Sequence, residues 1–180
     1  MPLIAPDALR LLAAGSVVAA SVTDGWVGFA LMLLVLGGCM VPRGWGFPAW
    51  FDALFCAALV GAGWAALLDY YERIDWLDLV VHAFVTGLIG AAVAVLVDRV
   101  GVLDPSAARR RAATTLGVVA TTSAIALAAL WEIGEWLGHT FVDDRVQVGY
   151  TDTVSDLLAG CVGAVLAAGV VAVSLHRGDV

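Results

Sequence analysis

The chain has 180 residues, of which 62% are hydrophobic and 14% charged, and its formal net charge is −7. A soluble domain is nearer to half apolar and about a quarter charged, so this composition excludes an ordinary soluble protein. The sequence also has no basic patch of the size that nucleic-acid binding requires. We therefore expect a single transmembrane domain over residues 1–180, with the lipid bilayer as its surroundings.

The apolar residues form runs of about 20 residues, the length that crosses about 30 Å of hydrocarbon as a helix. In chain order, the predicted spans are 8–22, 25–42, 49–69, 76–97, 113–137 and 152–175. The first is the weakest, because Arg10 would have to extend toward the interface. Pro42, Pro48 and Pro105 fall in the predicted connections, as expected for uninterrupted helices. The sequence predicts an all-α membrane protein with six transmembrane helices.

Arginine placement predicts the orientation of these spans. The side that carries both termini also holds Arg10, Arg43, Arg99, Arg109, Arg110, Arg111 and Arg177. The other side holds only Arg73 and Arg145, together with most of the acidic residues. The positive-inside rule therefore predicts a bacterial inner-membrane protein with both termini in the cytoplasm and an acidic outer side.

Acidic residues recur at helical spacing near the predicted outer ends of spans four, five and six. The three sets are Asp78-x3-His82, Glu132-x2-Glu135-x3-His139 and Asp152-x3-Asp156. Residues three, four and seven positions apart share one face of a helix, so each set lies on one face. Counting about 20 residues from the cytoplasmic end of each span reaches Asp78, Glu132 and Asp156. One acid from each set is therefore predicted at a similar depth, which favours one shared site.

Carboxylates crowded inside a membrane protein repel one another unless a cation or shared protons compensate them. The predicted ligands of a divalent metal ion are Asp78, His82, Glu132, Glu135, Asp152 and Asp156, with His139 as a less certain member. Oxygen-rich ligation suits Mg²⁺, Mn²⁺ or Ca²⁺, and the histidines admit Zn²⁺ or Fe²⁺. The more peripheral acids, such as Asp75 and Asp144, are interpreted as a solvated rim.

A metal at this depth would activate water or polarise a phosphoryl or carbonyl oxygen. The preferred function is a metal-dependent hydrolase or transferase acting on a lipid-linked or amphiphilic substrate, with Glu135 and Asp152 as catalytic candidates. Two alternatives stay open. Acid and His chains also relay ions or protons in transporters, and a small partner subunit can bind a metal without catalysis.

The cysteines and the small residues have simpler interpretations. Cys39, Cys56 and Cys161 lie in separate apolar runs, so their number and spacing predict neither a disulfide framework nor a metal site. They are expected to be small buried apolar side chains. Spans four and six carry Gly87-x2-Gly90 and Gly160-x2-Gly163, which predicts close packing between helices.

Three motifs in order carry a family resemblance over roughly residues 66–170. They are Asp78-Leu-Val-Val-His82, Trp131-Glu132-Ile-Gly-Glu135-Trp136 and Gln147-Val-Gly149-Tyr-Thr-Asp152-Thr153-Val-Ser-Asp156-Leu157. In these motifs the chain resembles the YjdF-like family of bacterial inner-membrane proteins, and it departs from the family pattern at Tyr150-Thr151, where a further Asp is expected. A looser similarity to VanZ-like proteins rests on a Glu followed by Asp-x3-polar-x3-Gly. The resemblance implies a multi-pass inner-membrane protein and assigns no reaction.

Overall fold

The computed structural model describes residues 4–101 and 109–177, and every regular element within these ranges is a helix. The helices are α1 Asp7–Thr23, α2 Gly25–Gly44, α3 Ala49–Leu67, α4 Tyr70–Arg73, α5 Leu77–Arg99, α6 Arg109–Phe141 and α7 Tyr150–Arg177. The predicted all-α class is confirmed. The fifth predicted span is longer than expected, since α6 continues to Phe141 and includes His139.

Five of the described helices are long and apolar enough to cross a membrane, namely α2, α3, α5, α6 and α7. Helix α1 has 17 residues, which at 1.5 Å per residue extends about 25 Å and falls short of about 30 Å of hydrocarbon. It packs against both α2 and α3. The structure thus gives a multi-pass helical protein with five candidate spans, and a sixth span stays a prediction.

Proline placement differs from the sequence-based expectation at one position. Pro42 lies inside α2, in its last turn, and its side chain is fully buried. A proline there has no N–H to donate to the carbonyl four residues earlier, so α2 lacks one intrahelical hydrogen bond two residues before its end at Gly44. Pro48 precedes α3 as predicted, whereas Pro105 lies outside the described residues.

The chain divides into two compact units. The first comprises Met1–Asp78 and Leu137–Val146, and the second comprises Leu79–Trp136 and Gln147–Val180. The boundary falls in the first turn of α5. Helices α1, α2 and α3 therefore build the first unit, and most of α5, α6 and α7 builds the second.

A buried charge network lies among the helices of the first unit. Arg10 is 7% exposed, so it does not extend to an interface as expected from the sequence. Its guanidinium donates to Asp52 Oδ1, to Asp7 Oδ1 at 2.9 Å and to the Cys39 carbonyl at 3.0 Å. Arg43 also approaches Asp7, at 3.5 Å. Because a buried charge is tolerated only when it is paired and hydrogen-bonded, these contacts tie α1 to α2 and α3.

The second unit is built on a contact between the backbones of α5 and α7. A Cβ added at Gly163 would lie 1.8 Å from the Ala83 carbonyl oxygen, and one added at Gly87 would lie 3.1 Å from the Gly163 oxygen. One turn earlier on α7, a Cβ added at Gly160 would lie 3.1 Å from the hydroxyl oxygen of the buried Thr86 side chain. The predicted close packing through small residues is confirmed.

Helix α6 runs antiparallel to α5 in this unit. Gly90 of α5 lies opposite Ala124 of α6, and further along α5 Ala94 packs with Leu116 in one apolar cluster. The C-terminal half of α6 therefore lies beside the N-terminal turns of α5 and α7. This arrangement brings Glu132 of α6 close to His82 of α5 and Asp156 of α7.

The first prediction concerns the α5–α7 contact. Replacing Gly163 with Ala places a methyl group much closer to the Ala83 carbonyl oxygen than van der Waals contact allows, so the helices must separate. We expect Gly163→Ala to lower the free energy of unfolding by at least about 1–3 kcal/mol, measured as thermal stability of the detergent-purified protein. Gly134→Ala is the matched control, because a Cβ there meets nothing within 4 Å. Equal stability of the two variants would contradict the contact.

Candidate metal centre

Three potential ligands converge where α5 and α7 begin. Asp78 and His82 of α5 and Asp156 of α7 each offer one ligand atom, and these atoms all lie within 4.8 Å of one another. Ligand atoms around one ion lie within about 5 Å of one another, because each bond to the metal is about 2.0–2.6 Å long. We refer to these three residues as the ligand cluster.

Local sequence explains the placement of the ligand cluster. Asp78 lies in the first turn of α5, and His82 follows one helical turn later on the same face. Asp156 is 3% exposed and lies one turn before Gly160, within the closely packed part of α7. The positive end of the α5 dipole also favours a carboxylate at Asp78. Spacing on α5 and close packing on α7 therefore bring the three side chains together.

Glu132 of α6 lies beside the ligand cluster. It is 7% exposed, and its Oε1 atom lies 3.8 Å from His82 Nδ1, a distance that is too long for a hydrogen bond. Thr153 of α7 donates a hydrogen bond to the Glu132 carboxylate. The Oε1 atom is buried and has no hydrogen-bond partner. Such an atom is costly in apolar surroundings unless a cation or a proton compensates it.

Two further predicted site residues are half-buried close by in sequence. Asp152 lies in the first turn of α7, one turn before Asp156, and is near enough to Glu132 to interact electrostatically with it. Glu135 follows Glu132 on α6. The described ligand atoms of these two residues do not join the group within 4.8 Å. Asp152 therefore lies one helical turn from a residue of the ligand cluster, and Glu135 lies one helical turn from Glu132.

His139 has a structural contact of its own. Its Nδ1 atom lies 2.7 Å from the Val146 carbonyl oxygen, and a carbonyl only accepts, so Nδ1 is the donor. Gly138 packs against the Val146 side chain next to it. These contacts hold the connection between α6 and α7, and His139 is not among the grouped ligand atoms.

The same connection carries an exposed ion pair. The Arg145 side chain and backbone N–H both donate to Asp143, and these hydrogen bonds lower the pKa of that carboxyl to about 2. Arg145 is thus engaged in the connection. The pair is largely solvated, so it shapes the connection without adding much to stability.

Sequence reasoning missed Thr153. A hydroxyl next to Asp152 did not stand out among larger charged groups, although it is three residues before Asp156 and therefore on the same face of α7. Thr153 hydrogen-bonds to the Glu132 carboxylate, and the Oε1 atom of that carboxylate has no hydrogen-bond partner. Thr153 thus fixes the orientation of a group that the sequence did identify.

Fold and site define a multi-pass helical membrane protein with a carboxylate–histidine cluster among its helices. Over residues 8–177 the chain matches the family described as predicted membrane protein (DUF2238), and it belongs to that family. This membership agrees with the resemblance to YjdF-like membrane proteins, whereas the similarity to VanZ-like proteins is not shown. No curated protein and no solved structure matches the chain.

A second prediction tests the role of Thr153. Thr153→Val removes the hydroxyl and keeps the branched shape, so the Glu132 carboxylate loses its orientation. We expect Mn²⁺ affinity to fall by about 10–100-fold, the usual effect of losing a residue that orients groups around a metal. Thr153→Ser keeps the donor and should stay near the wild-type affinity in the same isothermal titration. A serine variant as weak as the valine variant would rule out the hydrogen bond as the cause.

Proposed function

We propose that the ligand cluster binds a divalent metal ion and that the protein is a metal-dependent enzyme acting on a lipid-linked or amphiphilic substrate. The observation that carries the proposal is the convergence of three ligand atoms within 4.8 Å beside a buried, unpartnered carboxylate oxygen of Glu132. One histidine nitrogen and several carboxylate oxygens suit Mn²⁺, Fe²⁺ or Zn²⁺, and Mg²⁺ or Ca²⁺ stay possible on oxygen ligands alone.

The charge distribution supports a bound cation. Asp78, Asp156 and Glu132 place three carboxylates around His82, near the first turns of α5 and α7. The two arginines predicted on the same side of the membrane are engaged elsewhere, Arg73 near Asp69 at 4.0 Å and Arg145 with Asp143. The buried Oε1 atom of Glu132 needs compensation. A divalent ion would supply it at the point where the ligands converge.

The arrangement also supports catalysis at the site. Three protein ligands leave positions open for water and substrate, and the bound ion would supply Lewis-acid chemistry. Glu132 holds Oε1 unpartnered next to the cluster, which is the arrangement a general base needs to accept a proton from water. Asp152 and Glu135, half-buried nearby, stay candidates for contacts with the substrate.

The surroundings of the cluster favour an amphiphilic substrate. Leu79 and Val80, which separate Asp78 from His82, are 38% and 51% exposed. On α7, Leu158 is also largely exposed just after Asp156. In a bilayer these side chains would face lipid, so a substrate with an apolar tail could approach laterally while its polar head reaches the ligands.

A transport function has less support than an enzymatic one in the described residues. Next to the cluster, the Gly163 backbone lies against the Ala83 carbonyl, so α5 and α7 leave no room between them there. The buried Thr86 hydroxyl is one turn deeper on α5. A relay through the membrane would need a longer series of polar groups. Close packing at this depth favours a site that is closed on its inner side.

Metal binding is the third prediction. We expect detergent-purified protein to retain about one divalent ion per chain by elemental analysis, and Asp156→Asn or His82→Ala to lower Mn²⁺ affinity by more than about 100-fold because each removes a ligand. Asp75→Asn is the matched control, since it removes an exposed acid three residues before Asp78. Protein without metal, or variants that bind like the control, would contradict the proposal.

A fourth prediction separates an enzyme from a metal-binding subunit. Glu132→Gln removes the proposed base and leaves the three residues of the ligand cluster in place. We expect wild-type protein loaded with Mn²⁺ to convert a component of a bacterial lipid extract, detected by mass spectrometry. Glu132→Gln binds Mn²⁺ more weakly because it loses the carboxylate beside the cluster, and we expect no conversion even when this variant is saturated with Mn²⁺. Metal binding with no change in the extract for either protein would favour the non-catalytic subunit.

The orientation belongs to the same proposal: six spans in a bacterial inner membrane, with both termini in the cytoplasm. It is supported by the arginine asymmetry and by the packing of α1 against α2 and α3. As a fifth prediction, green fluorescent protein fused to either terminus should fluoresce, because it matures in the cytoplasm, and alkaline phosphatase at either terminus should be inactive. An active phosphatase at the N-terminus alone would show that α1 does not cross.

A further inference from the structure

Two cysteines that are far apart in sequence meet in the first unit. Cys39 of α2 and Cys56 of α3 are both fully buried. Each sulfur approaches the backbone carbonyl oxygen of the other residue, at 3.9 Å for Cys39 Sγ and 3.6 Å for Cys56 Sγ. We call these two residues the thiol pair. The expectation of small buried side chains is confirmed for these two cysteines, and the fold adds that they meet between α2 and α3.

The buried carboxylate of Asp52 lies beside the thiol pair. Asp52 is 1% exposed, and its Oδ1 atom lies 3.5 Å from Cys56 Sγ while also accepting from Arg10. The other oxygen, Oδ2, is buried without a hydrogen-bond partner. Arg10 compensates the charge of Asp52 through Oδ1, whereas the buried Oδ2 keeps an unmet hydrogen-bonding capacity. The thiol pair therefore lies in an apolar core cluster that has this carboxylate at its edge.

The chemistry of the pair selects a class of ligand. Thiolates bind soft cations at about 2.3 Å, and the mutual approach of each sulfur to the other residue's carbonyl brings two such ligands to one place. A hard divalent ion would need oxygen ligands, and the nearest carboxylate, Asp52, is already paired with Arg10. Two thiolates around a monovalent ion carry one net negative charge. Arg10, which donates to the Cys39 carbonyl, would lie next to that charge.

We propose that Cys39 and Cys56 form a two-thiolate binding site for a soft monovalent cation of the Cu(I) class. On binding, both S–H bonds break, two metal–sulfur bonds form and two protons leave the site. The site lies on α2 and α3 and uses none of the residues of the ligand cluster. It is therefore independent of the function proposed above.

Silver(I) is the probe, because it has the same charge and softness as Cu(I) and does not change oxidation state. Full-length Cys161→Ser protein, which keeps only the thiol pair, should bind one Ag(I) per chain in detergent. Cys39→Ser and Cys56→Ser in that background should each lower the affinity by more than about 100-fold, since one sulfur alone remains. Binding of two ions per chain, or retained affinity in either serine variant, would overturn the proposal.

X-ray absorption at the silver edge keeps the test valid if a serine variant fails to fold. On Cys161→Ser protein alone, two sulfur neighbours and no oxygen neighbour are expected around the ion. A single sulfur neighbour would show binding to one thiol only and would overturn the proposal. Isolation of the pair as a disulfide, seen as two fewer alkylated thiols before reduction than after it, would also overturn it.

Discussion

The direct contact between α5 and α7 is the constraint on which the second unit depends. Gly163 lies against the Ala83 carbonyl with no space for a side chain, so the two helices have one register. That register places Asp156 of α7 opposite the first turns of α5, where Asp78 and His82 lie one turn apart. The ligand cluster is thus a consequence of backbone packing, and its polar groups converge because glycines elsewhere let the helices touch.

Buried charge is handled differently in the two units. In the first, Arg10 and Asp52 pair directly, and Asp7 is shared between Arg10 and Arg43. In the second, Glu132 keeps a buried carboxylate oxygen without a hydrogen-bond partner, 3.8 Å from His82 Nδ1. A buried carboxylate oxygen without a partner is costly. This difference is the physical reason to propose a cation beside Glu132 and a structural role for the Arg10 network.

Much of the site was predictable because helical periodicity converts sequence spacing into position. The Asp78-x3-His82 spacing and the equal depth of Asp156 came from counting, and the structure brings these three residues together. Side-chain orientation and tertiary pairing are not encoded in spacing. For that reason the Thr153 hydrogen bond, the Arg10–Asp52 pair and the meeting of Cys39 with Cys56 became visible only in the fold. Helix α1 is the marginal case, because 17 residues lie near the limit for a span.

The central claim is that one divalent ion binds between α5 and α7. Anomalous diffraction from crystals grown with Mn²⁺, recorded on both sides of the manganese absorption edge, tests it most directly. The account predicts one strong peak per chain, within about 2.0–2.6 Å of ligand atoms from Asp78, His82 and Asp156. A peak bound only by exposed acids such as Asp75 and Asp144, or no peak at all with the three side chains in place, would contradict it.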